Sequence, residues 1–166
     1  MASSSTLSRR IARLEAVVAV TQLVGHYARG ADRRNDPVIM APLFSRDALW
    51  EARGFGRYEG RDAIVKELAR IGEEQIVWTL HYMVSPLVEI NEDLCTGTCR
   101  WYLWELAQVR QDRADHAPPA AHWIGGWYES NVVFEDGQWR FARVLLDLQL
   151  MHRHDANWMP TGPAAS

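Results

Sequence analysis

Apolar residues recur every three or four positions between about Leu7 and Ala31, at Leu14, Val17, Val20 or Thr21, Val24 and Tyr27. That spacing predicts one long helix with a single buried stripe. Gly30 and then Asn35-Asp36-Pro37 break the pattern, and Asp36 ahead of Pro37 predicts the N-cap of a short helical turn from Pro37 to Leu43. Asp32 is therefore expected near a helix exit. Ala48 to Ala52 reads as a short strand and Gly54 to Gly60 as a turn-rich loop. Arg61 to Ile71 reads as a helix with Ile64, Leu68 and Ile71 on one side.

From Val77 the period changes to two. Four long strands are predicted, about Val77 to Ile90, Thr96 to Val109, His122 to Phe134 and Trp139 to Met151. Asn91-Glu92-Asp93 and Glu135-Asp136-Gly137 have hairpin-turn chemistry, while Gln111 to Pro119 is a longer polar loop. Gly125-Gly126 inside the third long strand predicts a bulge or bend that lets a wide sheet curl. Helices first and a meander afterwards indicate an α+β domain: a cone-shaped, curved antiparallel sheet wrapped by N-terminal helices around a small-molecule pocket. The Pro/Gly/Ala tail from Pro160 is expected to be loose.

Composition narrows the function classes. A chain of 166 residues fits one domain, with a core expected over about 7–154. Lys+Arg total 18 against Asp+Glu 21, so no basic field points to nucleic acid. The polar start, Met1 to Arg10, does not resemble a signal peptide, and no uninterrupted apolar run reads as a membrane span. Cytoplasmic localisation is the expectation. Cys95 and Cys99, four apart in a segment read as one strand, cannot bridge and lack the Cys/His partners of a structural zinc site. Eight Trp supply rigid apolar area for a core, a pocket or an interface.

Among local motifs there is no phosphate-binding Gly loop, no His-Glu-x-x-His and no Gly-x-Ser-x-Gly. The chemistry must come from a constellation, and four residues are unusual for their settings: Tyr27 and Asp32 at the end of the first helix, His81 in the first long strand and Arg143 in the last. His81 shares a face with Val77, Thr79 and Met83, so it reads either as a core histidine bonded to a carbonyl or as a catalytic group. In the last strand Ala142, Val144, Leu146, Leu148 and Leu150 form one apolar face, read as core or subunit interface. Trp139, Phe141, Arg143, Leu145, Asp147 and Gln149 form the other, read as a pocket wall or a solvated face. Asp32 beside Arg29, Arg33 and Arg34 also fits a plain exposed helix end. His152 and His154 lack a third ligand for a metal, and His116 and His26 are expected in solvent.

Tyr27 five residues before Asp32, Trp78-Thr79-Leu80-His81-Tyr82, and Gly137-Gln138-Trp139-Arg140-Phe141 together resemble the SnoaL-like branch of the NTF2-like superfamily, over roughly Leu7 to His152. The likeness is greatest to its lyases, the hexachlorocyclohexane dehydrochlorinases, bile-acid 7α-dehydratases and scytalone dehydratases. This resemblance implies Asp32 and His81 as a catalytic pair, with Tyr27 and Arg143 as pocket donors. Two departures stand out. Tyr27 occupies the place of the dehydrochlorinase lysine, and Val144, with Arg143 one residue off, falls where the last-strand arginine should stand.

The implied function is a cofactor-independent lyase that removes water or halide from a small hydrophobic substrate. His81 would be the general base steered by Asp32, and Trp50, Phe55, Trp101 or Tyr102, Trp104, Tyr128 and Asp147 would shape the pocket. No metal or other cofactor is called for. The rivals are isomerase, cyclase or epoxide-hydrolase chemistry on the same pair, or a non-catalytic binder with Asp32 and His81 apart. A homodimer is expected, with a trimer as the alternative.

Overall fold

The computed structural model describes residues 4–110 and 118–155. The expected tail from Pro160, His116 and most of the 111–119 loop lie outside the described residues. Helix α1 (Ser4–Asp32) is followed by a turn of helix, α2 (Pro37–Met40), and a 3-10 turn over Ala41–Leu43. Strands β1 (Phe44–Ala52) and β2 (Gly56–Glu59) precede helix α3 (Arg61–Glu74). Then come β3 (Ile76–Ile90), β4 (Thr96–Val109), β5 (Ala120–Glu135) and β6 (Gln138–Arg153).

The six strands form one sheet in the order β2-β1-β6-β5-β4-β3. The predicted antiparallel meander holds for β3 to β6. One part of the expectation is corrected. The sheet is mixed, because β1 lies parallel to β6, and the turn-rich 54–60 segment contains β2 as its edge strand. Parallel neighbours need a long crossover, and here it is everything from β2 to β5. Register shifts at Gly125/Gly126 fall where the glycine pair predicts a bend. A Cβ on Gly126 would come within 2.3 Å of the Asp147 carbonyl, so only glycine lets β5 and β6 approach there.

α1 lies across the concave side of the sheet. Its buried stripe is Ala16, Val20, Leu23, Val24 and Tyr27, whereas Leu14 is 65% exposed, so the predicted stripe is rotated by about one position along its first half. Tyr27 sits at the centre of the core, edge-on to Phe44, Trp101, Tyr128 and Phe141 at centroid distances of 5.7 to 6.4 Å. Among the described residues no helix is long and apolar enough to cross a membrane. Cys95 falls in the β3–β4 turn rather than in a strand, Cys99 is buried in β4, and both are free thiols.

Candidate active site

The site forms where α1 ends against β3. Arg34 and Asn35 adopt positive φ (59° and 56°), which turns the chain sharply after Asp32. Asp36 then caps α2 by accepting from the Val38 N–H at 2.9 Å, as its place before Pro37 predicts. The turn is clamped from the other side by α3. Asn35 Nδ2 donates to the Leu68 carbonyl at 2.9 Å, and a Cβ on Gly72 would lie 2.4 Å from the Arg34 carbonyl oxygen. This close approach fixes Asp32 relative to the sheet.

A carboxylate at a helix C-terminus faces the negative end of the dipole, so Asp32 needs donors from elsewhere. It finds two on one residue. The His81 backbone N–H donates to Asp32 Oδ1 at 2.8 Å, and His81 Nδ1 reaches the same oxygen at 2.9 Å. A carboxylate can only accept, so Nδ1 carries the proton and the tautomer is set. The His81 side chain is 8% exposed and that of Asp32 29%.

The second nitrogen has a partner that the sequence reading did not single out. Glu105 of β4 is the direct cross-strand neighbour of His81; its Oε2 lies 3.4 Å from Nε2, and its side chain is 5% exposed. Thr79 donates its hydroxyl to Glu105 Oε1 at 2.5 Å, holding the carboxylate in place. A signal for Glu105 exists in the sequence, since it falls in phase with Cys99, Trp101, Leu103 and Ala107 on the buried face of β4. A charge in an otherwise apolar alternation is the pattern to look for. The imidazole thus stands between two carboxylates. Burial disfavours its charged form, but the charge of Glu105 and the hydrogen bond and charge of Asp32 together outweigh it, so the His81 pKa is raised above 6.5.

Deeper in, the Trp50 indole N–H donates to the Tyr27 hydroxyl at 2.8 Å, and the Tyr128 ring packs edge-on to that of Tyr27, centroids 5.7 Å apart. Burial pushes the Tyr27 phenol up to about 12 and that of Tyr128 well above 10, so both stay protonated. A hydroxyl has one proton and two acceptor sites. The indole takes one acceptor site of Tyr27, and the phenol keeps its own O–H as a donor.

These groups line one cavity between α1, α3 and the concave face of the sheet, with a free volume of about 50 Å³. That is room for a few waters, so a substrate entering it has to displace the side chains at its mouth. Tyr27, His81, Trp50, Phe55 and Tyr128 all line it, Asp32 supports it through His81, and Thr79, Glu105 and Asn35 add polar groups.

Three expected residues lie elsewhere. Arg143 is exposed on the outer face of the sheet, because the β5–β6 register shifts between Asn131 and Val132 and leaves Ala142 as an extra residue in β6. Trp139 and Phe141 point to the core as expected. Beyond the bulge Val144, Leu146 and Leu148 take over the inner face, and the supposed interface residues become core and cavity wall. Asp147 is carried outward by the same slip, into a surface groove with Arg53 and Arg57. Trp104 is 41% exposed on the outer face, since in β4 it is Trp101, Leu103 and Glu105 that turn inward. His26 is exposed as expected. His152 and His154 sit at the end of β6, and no group of three or more metal-ligating side chains occurs among the described residues.

Solved structures similar in shape agree with this architecture. A type 2 hexachlorocyclohexane dehydrochlorinase matches with a TM-score of 0.80 at 18% identity, over 93% of this chain and 99% of that one. The type 3 enzyme from Novosphingobium barchaimii gives 0.79 at 18% identity, over 91% and 99%. A protein from Novosphingobium aromaticivorans described as a scytalone dehydratase by inference gives 0.69 at 25% identity, over 94% and 99%. No curated protein sequence matches the chain. The SnoaL-like domain model matches residues 12–144, from the first buried turn of α1 to the inward Val144 of β6, and the chain belongs to that family, with its NTF2-like fold.

Proposed function

We propose that this protein is a cofactor-independent lyase that eliminates water or halide from a small hydrophobic, cyclic substrate. The observation that carries the reading is the double acceptance by Asp32 Oδ1 of the His81 backbone N–H and Nδ1 at the wall of a cavity. A non-catalytic binder has no need of a buried histidine held between two carboxylates, a costly arrangement unless it performs work. The dehydrochlorinases and the scytalone dehydratase-like relative support the reaction class.

In this reading neutral His81, steered by Asp32, removes the proton beta to the leaving group through Nε2. The C–H electron pair becomes the new double bond, and hydroxide or halide departs with its own bonding pair. The imidazolium then gives its proton to departing hydroxide, which leaves as water, or to solvent where halide leaves as the free anion, and the base is regenerated. Glu105 faces the Nε2 proton and stabilises the imidazolium between the two transfers. Tyr27, whose O–H is left to donate, stabilises charge growing on the leaving atom or on an enolate oxygen. With Arg143 outside the cavity, that task falls to the Tyr27–Trp50–Tyr128 cluster.

The test is incubation with hexachlorocyclohexane isomers and with cyclic β-hydroxy ketones, read by mass spectrometry for loss of hydrogen chloride or water. Elimination product from the natural chain and none from His81→Ala supports the reading. Isomerised or cyclised product of unchanged mass would assign the pair to a different reaction.

A further inference from the structure

Two features of the cavity bear on what can leave from a substrate held in it. Among the described residues that line it there is neither lysine nor arginine, so no fixed cation waits for a departing anion. Its charge resides instead in His81 and in a carboxylate beside the reactive nitrogen. Glu105 Oε2 lies 3.4 Å from Nε2, well within reach of its charge but beyond the usual length of a hydrogen bond. The other oxygen, Oε1, is held by the Thr79 hydroxyl, and both side chains of the ion pair are buried, so water screens neither. Glu105 therefore leaves the Nε2 lone pair free for a substrate. Once Nε2 is protonated, it leaves that proton free to be given away.

We propose that Glu105 selects the leaving group, so that the site expels hydroxide as water and discriminates against halide. This rests on the lyase reading and narrows its substrate class to β-hydroxy carbonyl compounds. The two eliminations balance differently. In both, Nε2 takes the proton next to the carbonyl, the C–H pair becomes the new double bond, and the bond to the leaving group breaks with its pair on the leaving atom. Hydroxide is a strong base and must be protonated as it goes. The imidazolium supplies that proton, water departs, and no new anion is left in the cavity. Chloride takes no proton. It leaves as an anion beside a buried carboxylate, where the one cation among the lining groups is an imidazolium that Asp32 and Glu105 already compensate. The same carboxylate thus favours the first reaction, by stabilising the imidazolium until it donates, and disfavours the second, by like-charge repulsion. The raised pKa of His81 agrees with this, because a proton retained in the cavity is what hydroxide requires and chloride does not.

A matched pair of substrates tests this: 3-hydroxycyclohexanone and 3-chlorocyclohexanone lose water and hydrogen chloride, respectively, to give the same cyclohexenone. For each, kcat/KM is divided by the uncatalysed rate. The natural chain is expected to give the larger enhancement on the hydroxy ketone. In Glu105→Gln the ratio of the two enhancements should shift toward the chloride by about tenfold or more, the equivalent of one pKa unit. Both substrates are run on one sample, so the folded fraction cancels from the ratio. Should Glu105→Gln not melt cooperatively, Glu105→Leu, which continues the apolar alternation of β4, takes its place with the same expectation. Equal losses on both substrates, with the ratio unchanged, would make Glu105 a merely structural group and overturn the proposal. A natural chain with the larger enhancement on the chloride overturns it as well. Elimination from neither ketone by the natural chain is a separate outcome, which overturns the lyase reading and this proposal with it.

Discussion

Strands β3 and β4 have two faces that invert the usual distribution of residues. The concave face buries Thr79, His81 and Glu105, while the convex face exposes Tyr82, Tyr102 and Trp104. A sheet selected for stability alone would swap them, since buried ionisable groups cost free energy and exposed aromatic rings promote association. Each departure therefore marks work done by that face. The concave side holds an imidazole between two carboxylates, and the convex side presents a surface suited to contact. His81 and Tyr82 are adjacent in sequence, so a single turn of the pleat separates the two tasks.

The sharpest way to break the comparison is to remove the imidazole. His81→Ala is expected to lower turnover by about 10²- to 10⁴-fold, the usual worth of a positioned acid–base group, while leaving the convex face and hence the molar mass unchanged. Steady-state rates on any substrate the natural chain eliminates, measured beside light scattering, check both halves. A change in molar mass together with the loss of activity would mean that the two faces are not separable.

Tyr27→Phe comes next. The ring packing on Phe44, Trp101, Tyr128 and Phe141 survives, but the Trp50 indole N–H loses its acceptor inside the core. An orphaned buried donor costs about 1–3 kcal/mol, to be seen as a lower midpoint in urea unfolding. Tyr27→Phe combined with Trp50→Phe should recover part of that loss, because the donor then goes as well. Full additivity of the two substitutions would show that the hydrogen bond contributes nothing.

Glu105→Gln sharpens the comparison rather than breaking it. Removing that charge lowers the His81 pKa from its raised position, since Glu105 is the foremost cause raising it. The neutral base is then present at lower pH, so the rising limb of the pH–rate profile should move toward acid. Stability shifts with it. A histidine whose folded pKa is raised stabilises the fold fully below about pH 6.5 and loses that contribution as pH climbs through the folded value. Thermal midpoints of the natural chain should therefore fall over that interval, and those of Glu105→Gln should fall less. Parallel curves for the two proteins would remove Glu105 from the account of His81.

Much of this was legible in the chain because it is local. The period-two runs give β3 to β6, Asp36-Pro37 gives a helix start, and Gly125-Gly126 gives a bend, since each signal resides in the residues that adopt the structure. The Asp32–His81 contact spans 49 positions and was reached only through the resemblance. The parallel pairing of β1 with β6 has no signature, because which edge a strand joins is decided by tertiary packing. Glu105 is legible by its phase among the buried positions of β4, but the aromatic residues around it dominate the pattern there.

The bulge at Ala142 is the clearest case of information absent from the local sequence. At Gly125-Gly126 a missing side chain announces the irregularity, whereas Phe141-Ala142-Arg143 is an ordinary strand tripeptide that bulges because Phe141 must stay in the core beside Tyr27 and Val144 must also reach it. Both demands are met only by adding a residue between them, and Arg143 is turned to solvent as the result. The smallest expected effect follows from this. Arg143→Ala should change unfolding free energy by no more than about 0.5 kcal/mol and leave turnover at the natural level, as for other exposed substitutions away from special contacts. A loss of turnover comparable to that of His81→Ala would place the guanidinium inside the cavity in the working state, and the strand would then have to run without its bulge.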